Sequence, residues 1–188
     1  MDDAAFQQLL LREEDLKESF YGEEPSAAYD PAFVSGDSRA GHRRPHQHAH
    51  ARQRPPSRDG APASALFTNV VGSVVFHHVA QFGQGACRQI LQELFDAVHA
   101  CAQYRMELND GVQLDISRVD LGPVELGNGG FLVRWLSTVD HFRIETAWVI
   151  VAKDDILTFV NVRVPDESEI HRLAHIAVDR VTEPTGVS

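Results

Sequence analysis

Five charged or amide side chains recur at alternate positions of four successive β-like stretches: Asp115, Arg134, Glu145, Asn161 and Arg163. Strand side chains point to opposite faces with period two, so each stretch can be split into two sets. Phe131, Val133 and Trp135 oppose Leu132, Arg134 and Leu136. Phe142, Ile144, Thr146, Trp148 and Ile150 oppose Arg143, Glu145, Ala147 and Val149. Val112, Leu114 and Ile116 oppose Gln113, Asp115 and Ser117. Ile156, Thr158, Val160 and Val162 oppose Leu157, Phe159, Asn161 and Arg163. One face then reads as core, with Trp135 and Trp148 as its bulkiest members. The other mixes Phe159, Leu136 and Val149 with the five polar groups, the composition of a ligand cleft. Arg134, Asn161, Arg163 and Phe159 are its expected ligand-binding residues. Glu145 and Asp115 are the acid–base candidates, because a carboxylate in an apolar setting has a raised pKa. Arg134 would partner an oxyanion or carboxylate.

Histidines offer two further sites. In "GHRRPHQHAHARQRPPSR", His46, His48 and His50 share a face only if the chain is extended. Such a triplet could take Zn²⁺ or Ni²⁺, but a metal site needs rigid geometry and supporting bonds. Pro45, Pro55, Pro56 and five Arg make this stretch a solvated tether. Near the C-terminus, Glu167, His171 and His175 form one helical stripe. No Glu follows His171 and there is no third His, so the zinc-protease pattern is missing. The stripe reads as a solvated edge beside an apolar face of Ile170, Leu173, Ala174, Ala177 and Val181. No metal and no cofactor is expected. There is no GxSxG, no P-loop and no strand-borne GxGxxG. "LGNGG" has no helix after it to receive a phosphate.

The elements that must hold these groups follow from periodicity. Residues 4–20 read as an amphipathic helix. Residues 22–64, rich in Pro, Gly, Ser, Ala and Arg, read as a flexible linker. "LFTNVVGSVVFHHVAQF" is strand-like with a break at Gly72, and residues 86–102 are a helix carrying Ile90, Leu91, Leu94, Phe95 and Val98 at helical spacing. His77 and His78 on the strand send one imidazole to each face. Four or five strands joined by short turns follow, among them "NDG" and "KDD". A last helix starts with an acidic turn at residue 166 and closes before Pro184. The expected class is α+β: a twisted antiparallel sheet packed by helices, in the order β, α, β-meander, α. The expected division is residues 1–21 as an N-terminal helix packed on the domain, 22–64 as linker and 65–183 as the domain.

Composition bounds the partners. The 188 residues carry a net charge of −10 and are 43% hydrophobic, enough for a core. Residues 39–58 hold six Arg and no acid, whereas residues 59–188 hold seventeen acids against nine bases. An acidic body repels phosphate, so nucleic acid is not an expected partner. No apolar run is long enough to span a bilayer, so no membrane is expected either. Cys87 and Cys101 bracket one helix and would lie roughly 21 Å apart, beyond the about 7 Å a disulfide tolerates. Two reduced thiols and an acidic N-terminus favour the cytoplasm, or an extracellular site if a signal sequence had been removed.

"LLLREEDLKESFYGEEP" and "VVFHHVAQFGQGACRQILQELFDAVHAC", followed by an alternating strand, resemble segments of the extracellular sensor-type domains of actinobacterial PknH-like kinases and related lipoproteins. The resemblance covers roughly residues 5–22 and 66–182. It implies a cleft-bearing domain of an exported type, with Cys101 at the place of the family's helix-end cysteine. Residues 41–64 offer that cysteine no partner, which suggests a cytoplasmic relative put to another use. The first expectation is therefore a non-catalytic binding or regulatory domain for a small amphipathic molecule or a protein segment. The alternative is a cofactor-independent cyclase or isomerase using Glu145 and Asp115.

Overall fold

The computed structural model describes residues 3–17, 20–23, 62–83, 85–107, 112–163 and 166–182. A short helix α1 (Asp3–Gln8) and a 3-10 turn (Glu13–Asp15) precede strand β1 (Phe20–Glu23). Strands β2 (Ala63–Asn69) and β3 (Val74–Gln81) lead to helix α2 (Ala86–Ala100). Strands β4 (Gln103–Glu107), β5 (Gln113–Val124), β6 (Gly130–Val139), β7 (Phe142–Lys153) and β8 (Ile156–Arg163) follow, and helix α3 (Glu167–Thr182) closes the domain. All eight strands form one antiparallel sheet in the order β1-β2-β3-β8-β7-β6-β5-β4. Two-residue turns join β6 to β7 and β7 to β8. Each opens with an Asp in the left-handed region, Asp140 and Asp154, a conformation Asp tolerates better than most residues. The Asn109–Asp110–Gly111 turn lies outside the described residues.

Both sheet faces are covered, so the domain has three layers. α2 lies on the face that carries Phe76, Phe131, Val133, Trp135, Ile150, Leu157 and Phe159. An aromatic row crosses it, from Tyr104 to Trp135 (5.6 Å between ring centres), Trp148 (5.4 Å) and Phe159 (5.8 Å). The apolar stripe of α3 lies on the opposite face, where Ile170, Leu173, Ala174, Ala177 and Val178 meet Val75, Leu132, Val149, Val160 and Val162.

This corrects the two-faced reading of β8. Phe159 sits opposite Ile150 and Asn161 opposite Trp148, so these residues belong to the aromatic face. Thr158, Val160 and Val162 point to the α3 side. The reason is composition: Ile156 to Val160 are all buried. A strand buried on both sides reads as a continuous apolar run, and such a run carries no phase.

The N-terminus differs more. The helix expected over residues 4–20 stops at Gln8. Leu9, Leu10 and Leu11 are all buried, and three consecutive residues cannot share one helical stripe. Phe6, Leu9 and Leu10 instead fill a cluster with Ala63, Val79 and Ile156. Phe20–Glu23 then pairs with Leu66–Asn69 as an edge strand. The linker boundaries at residues 22 and 64 therefore cut into paired strands at both ends, and the rest of that segment, including His46, His48 and His50, lies outside the described residues.

Cys87 and Cys101 are both free. Cys87 is buried at the start of α2, and burial pushes its thiol up to about 11. Denaturing the protein without reductant should expose two reactive thiols, counted with a chromogenic disulfide reagent. In the native state Cys101, at the helix end, should react first. A mass spectrum with an intact intrachain bridge would overturn the continuous helix.

Candidate functional site

β7 is longer than its neighbour β8. The last registered pair on that side is Ala147 with Val162 and β8 ends at Arg163, level with Thr146, so Phe142–Glu145 runs on past the end of β8. The first turns of α3 close this gap from one face. The β2–β3 turn flanks its far side. The result is a cleft of about 420 Å³, lined by Val71, Gly72, Ser73, Arg134, Arg143, Ile144, Glu145, Thr146, Ala147, Arg163, Glu167 and Ile170.

Three expected site residues meet there: Arg134, Glu145 and Arg163. Arg134 is opposite Ala147 on β6, pointing to the α3 side, and its side chain is only 23% exposed. Its guanidinium lies 3.5 Å from Glu145 and 3.3 Å from Glu167. Both carboxylates are largely exposed. Arg163 ends β8 at the rim.

The other three are elsewhere. Phe159 is buried in the aromatic row, in edge contact with Trp148 and Phe76. Asn161 faces the same side, between Phe76 and Trp148 in register. Asp115 shares Glu145's face, but two strands and two residues away, roughly 12 Å by strand spacing. It accepts a 2.7 Å hydrogen bond from Arg105 of the edge strand β4. The acid–base pair drawn from the sequence is therefore not assembled at one site.

Sequence reasoning passed over Arg143, Glu167 as a partner of Arg134, and the β2–β3 turn. Arg143 had a signal, since it shares the alternation of Glu145. The turn and α3 had none, because only folding brings residues 71–73 and 167–170 to β7.

Elsewhere, titratable groups serve architecture. His77 is fully buried on the α3 side. Its Nδ1 accepts the Leu11 N–H at 2.9 Å, which leaves the proton on Nε2, 2.7 Å from Thr158 Oγ1. Burial first, then His78 and Arg180, lower its pKa to about 3, opposed by Asp15. His78 takes the other face, with its Nδ1 2.7 Å from Ser64 Oγ. Arg180 donates two hydrogen bonds to the Asp15 carboxylate, at 2.9 and 2.7 Å, and Arg172 donates to the Asp15 carbonyl. Hydrogen bonds from Arg172 hold Glu169 below the usual carboxylate range, against its desolvation. Together these tie α3 to the N-terminal segment. His171 and His175 are exposed, and no group of metal-binding side chains gathers among the described residues.

A second cavity lies at the other end of the sheet, beside Arg88, Asn128, Asp154 and Asp155. Asn128, Asp154 and Asp155 are engaged locally. Asn128 accepts from the Asp154 amide, and Gln81 donates to Asp155.

Sheet, helices and cleft define a three-layer α+β domain built on one antiparallel sheet. No family model matches the sequence, and no curated protein matches it. The structure is similar to the extracellular domain of PknH from Mycobacterium tuberculosis, with a TM-score of 0.68 over 98% of each chain and 12% identity. The resemblance read in the sequence thus holds at the level of fold. Among the described residues no helix is long and apolar enough to cross a membrane.

Proposed function

We propose that this chain is a non-catalytic binding or regulatory domain whose ligand, a small amphipathic molecule or a protein segment, sits in the cleft at the end of β8. The observation that carries this reading is Arg134, a mostly buried cation poised between two exposed carboxylates in an open cleft. Acid–base catalysis calls for a carboxylate in an enclosed apolar setting. Glu145 and Asp115 are instead exposed and paired with Arg134 and Arg105. The PknH domain, extracellular by its description, supports a binding role by analogy of fold. The two free thiols favour a reducing compartment such as the cytoplasm for this chain.

A thermal-shift screen of small amphipathic molecules and short peptides tests the reading. Compounds that stabilise the wild type should fail on Arg134→Ala. That variant and Glu145→Ala should themselves melt close to wild type, since both carboxylates are exposed and Arg134 keeps Glu167 when Glu145 is removed, and such pairs contribute about 0–1 kcal/mol. Hits indifferent to Arg134→Ala would move the site elsewhere. A turnover lost in Glu145→Ala would replace binding with acid–base chemistry.

A further inference from the structure

We infer that the cleft takes a free α-amino acid with an apolar side chain, its carboxylate on the Arg134 guanidinium and its ammonium between Glu145 and Glu167. This rests on the cleft being the binding site and names the class of ligand.

The first support is the state of Arg134. Two other arginines are buried to a similar degree, Arg172 and Arg180, with side chains 31% and 17% exposed against 23% for Arg134. Both donate directed hydrogen bonds. Arg172 reaches Glu169 at 2.8 Å, and Arg180 reaches Asp15 at 2.9 and 2.7 Å. Arg134 stands 3.5 Å from Glu145 and 3.3 Å from Glu167, yet it donates no directed hydrogen bond to them or to any other described residue. A guanidinium carries five N–H donors in a planar fork that matches a carboxylate. Here the fork lines an open cleft, where a carboxylate from outside can take it.

The second is the sign of the charges around it. Glu145 comes from β7 and Glu167 from the first turn of α3, and they approach different terminal nitrogens of the one guanidinium. One cation therefore stands between two anions. A ligand bearing only a carboxylate would seat it beside two like charges, which costs affinity. A ligand bearing only an amine would meet the guanidinium. A zwitterion avoids both conflicts, because the ammonium on the adjacent carbon pairs with the glutamates as the carboxylate pairs with Arg134. Both glutamates are largely exposed and free to turn towards it. A peptide separates its two terminal charges along its length, so it satisfies the trio less well.

The third is size and apolar surface. At about 420 Å³ the cleft is at the small end of ligand pockets. Ala147 and Ile170, both buried, form its apolar wall on the α3 side, and Val71 is exposed at its mouth. These three offer an aliphatic side chain an apolar surface next to the charged groups.

Calorimetric titration of the full chain with each L-amino acid is the first measurement. Leucine, isoleucine, valine and methionine should bind. Glycine, aspartate and lysine should bind about ten-fold or more weakly. Two analogues of L-leucine then separate the charges: 4-methylpentanoate lacks the amine, and 3-methylbutylamine lacks the carboxylate. Each should bind about ten-fold or more weakly than leucine. Glu145→Gln/Glu167→Gln should lose leucine by a similar factor, yet bind 4-methylpentanoate at least as well as wild type, since the like charges are gone. Arg134→Lys keeps the charge and loses the fork, so it should weaken leucine about ten-fold. Both variants should melt near wild type. Leucine binding that ignores Arg134→Lys and Arg134→Ala would overturn the inference. So would equal binding of leucine and 4-methylpentanoate, or a glutamine variant that loses both alike. If other small molecules bind in an Arg134-dependent way while no amino acid binds, this inference fails and the binding site stands. If no ligand of any kind depends on Arg134, both fall.

Discussion

Acidification from pH 7 to pH 5 should remove about 2 kcal/mol of folding stability from this protein. The source is His77. Its pKa falls from 6.5 to about 3 on folding, because burial away from water disfavours the imidazolium, with further contributions from His78 and Arg180. Asp15, on the N-terminal segment, opposes them. The folded state therefore binds the proton less well than the unfolded state. The stability this contributes is complete above pH 6.5 and is lost as pH falls from 6.5 towards 3. Each unit is worth about 1.4 kcal/mol, so full titration costs roughly 4–5 kcal/mol, a large part of a domain's total. Paired carboxylates such as Glu169 lose their contribution only at lower pH, below the window from 6.5 to 5.

Urea unfolding at intervals across that window reads the slope directly. It should approach one proton per molecule. His77→Leu should flatten it, at the cost of stranding the Leu11 amide and the Thr158 hydroxyl, about 1–3 kcal/mol each. Should that variant fail to fold, the His77 ring resonance in the wild type decides. It should not titrate above pH 4. A titration midpoint near 6.5 would show that the imidazole is solvated and the N-terminal segment undocked.

The second large effect concerns Trp135. It is 3% exposed and sits between Tyr104 and Trp148. Trp135→Ala should cost about 3–5 kcal/mol, from lost transfer energy plus the cavity left in a layer pinned by α2. Trp135→Phe should stay within about 1.5 kcal/mol of wild type. The indole N–H has no acceptor among the described residues, so replacing it removes an unsatisfied donor along with some volume. Denaturant midpoints of both variants give the comparison. A near-wild-type Trp135→Ala would mean the aromatic face is not core. A Trp135→Phe as damaging as the alanine change would mean that the N–H is bonded.

Where elements are amphipathic, periodicity placed them well. The helix expected over 86–102 runs from Ala86 to Ala100, and the one expected from 166 runs from Glu167 to Thr182. β6 and β7 alternate as read, so Trp135 and Trp148 share a face while Arg134 and Glu145 share the other. Errors fell where the pattern is saturated or too short. β8 is buried on both sides from Ile156 to Val160, so its phase came out inverted and took Phe159, Asn161 and Arg163 to the wrong face. The four residues of β1 pair with a strand more than forty positions on, and nothing local marks them.

The sequence by itself determined the α+β class, the two amphipathic helices and the shared face of Arg134 and Glu145. Each follows from a period of two or 3.6, which burial on one side imprints on neighbouring residues. Tertiary structure alone decided the cleft. β7 runs four residues past the end of β8, α3 brings Glu167 to Arg134, and the β2–β3 turn lines the far side. Differences in strand length across a sheet leave no mark on periodicity, because each strand reports which side is buried and not where its neighbour stops.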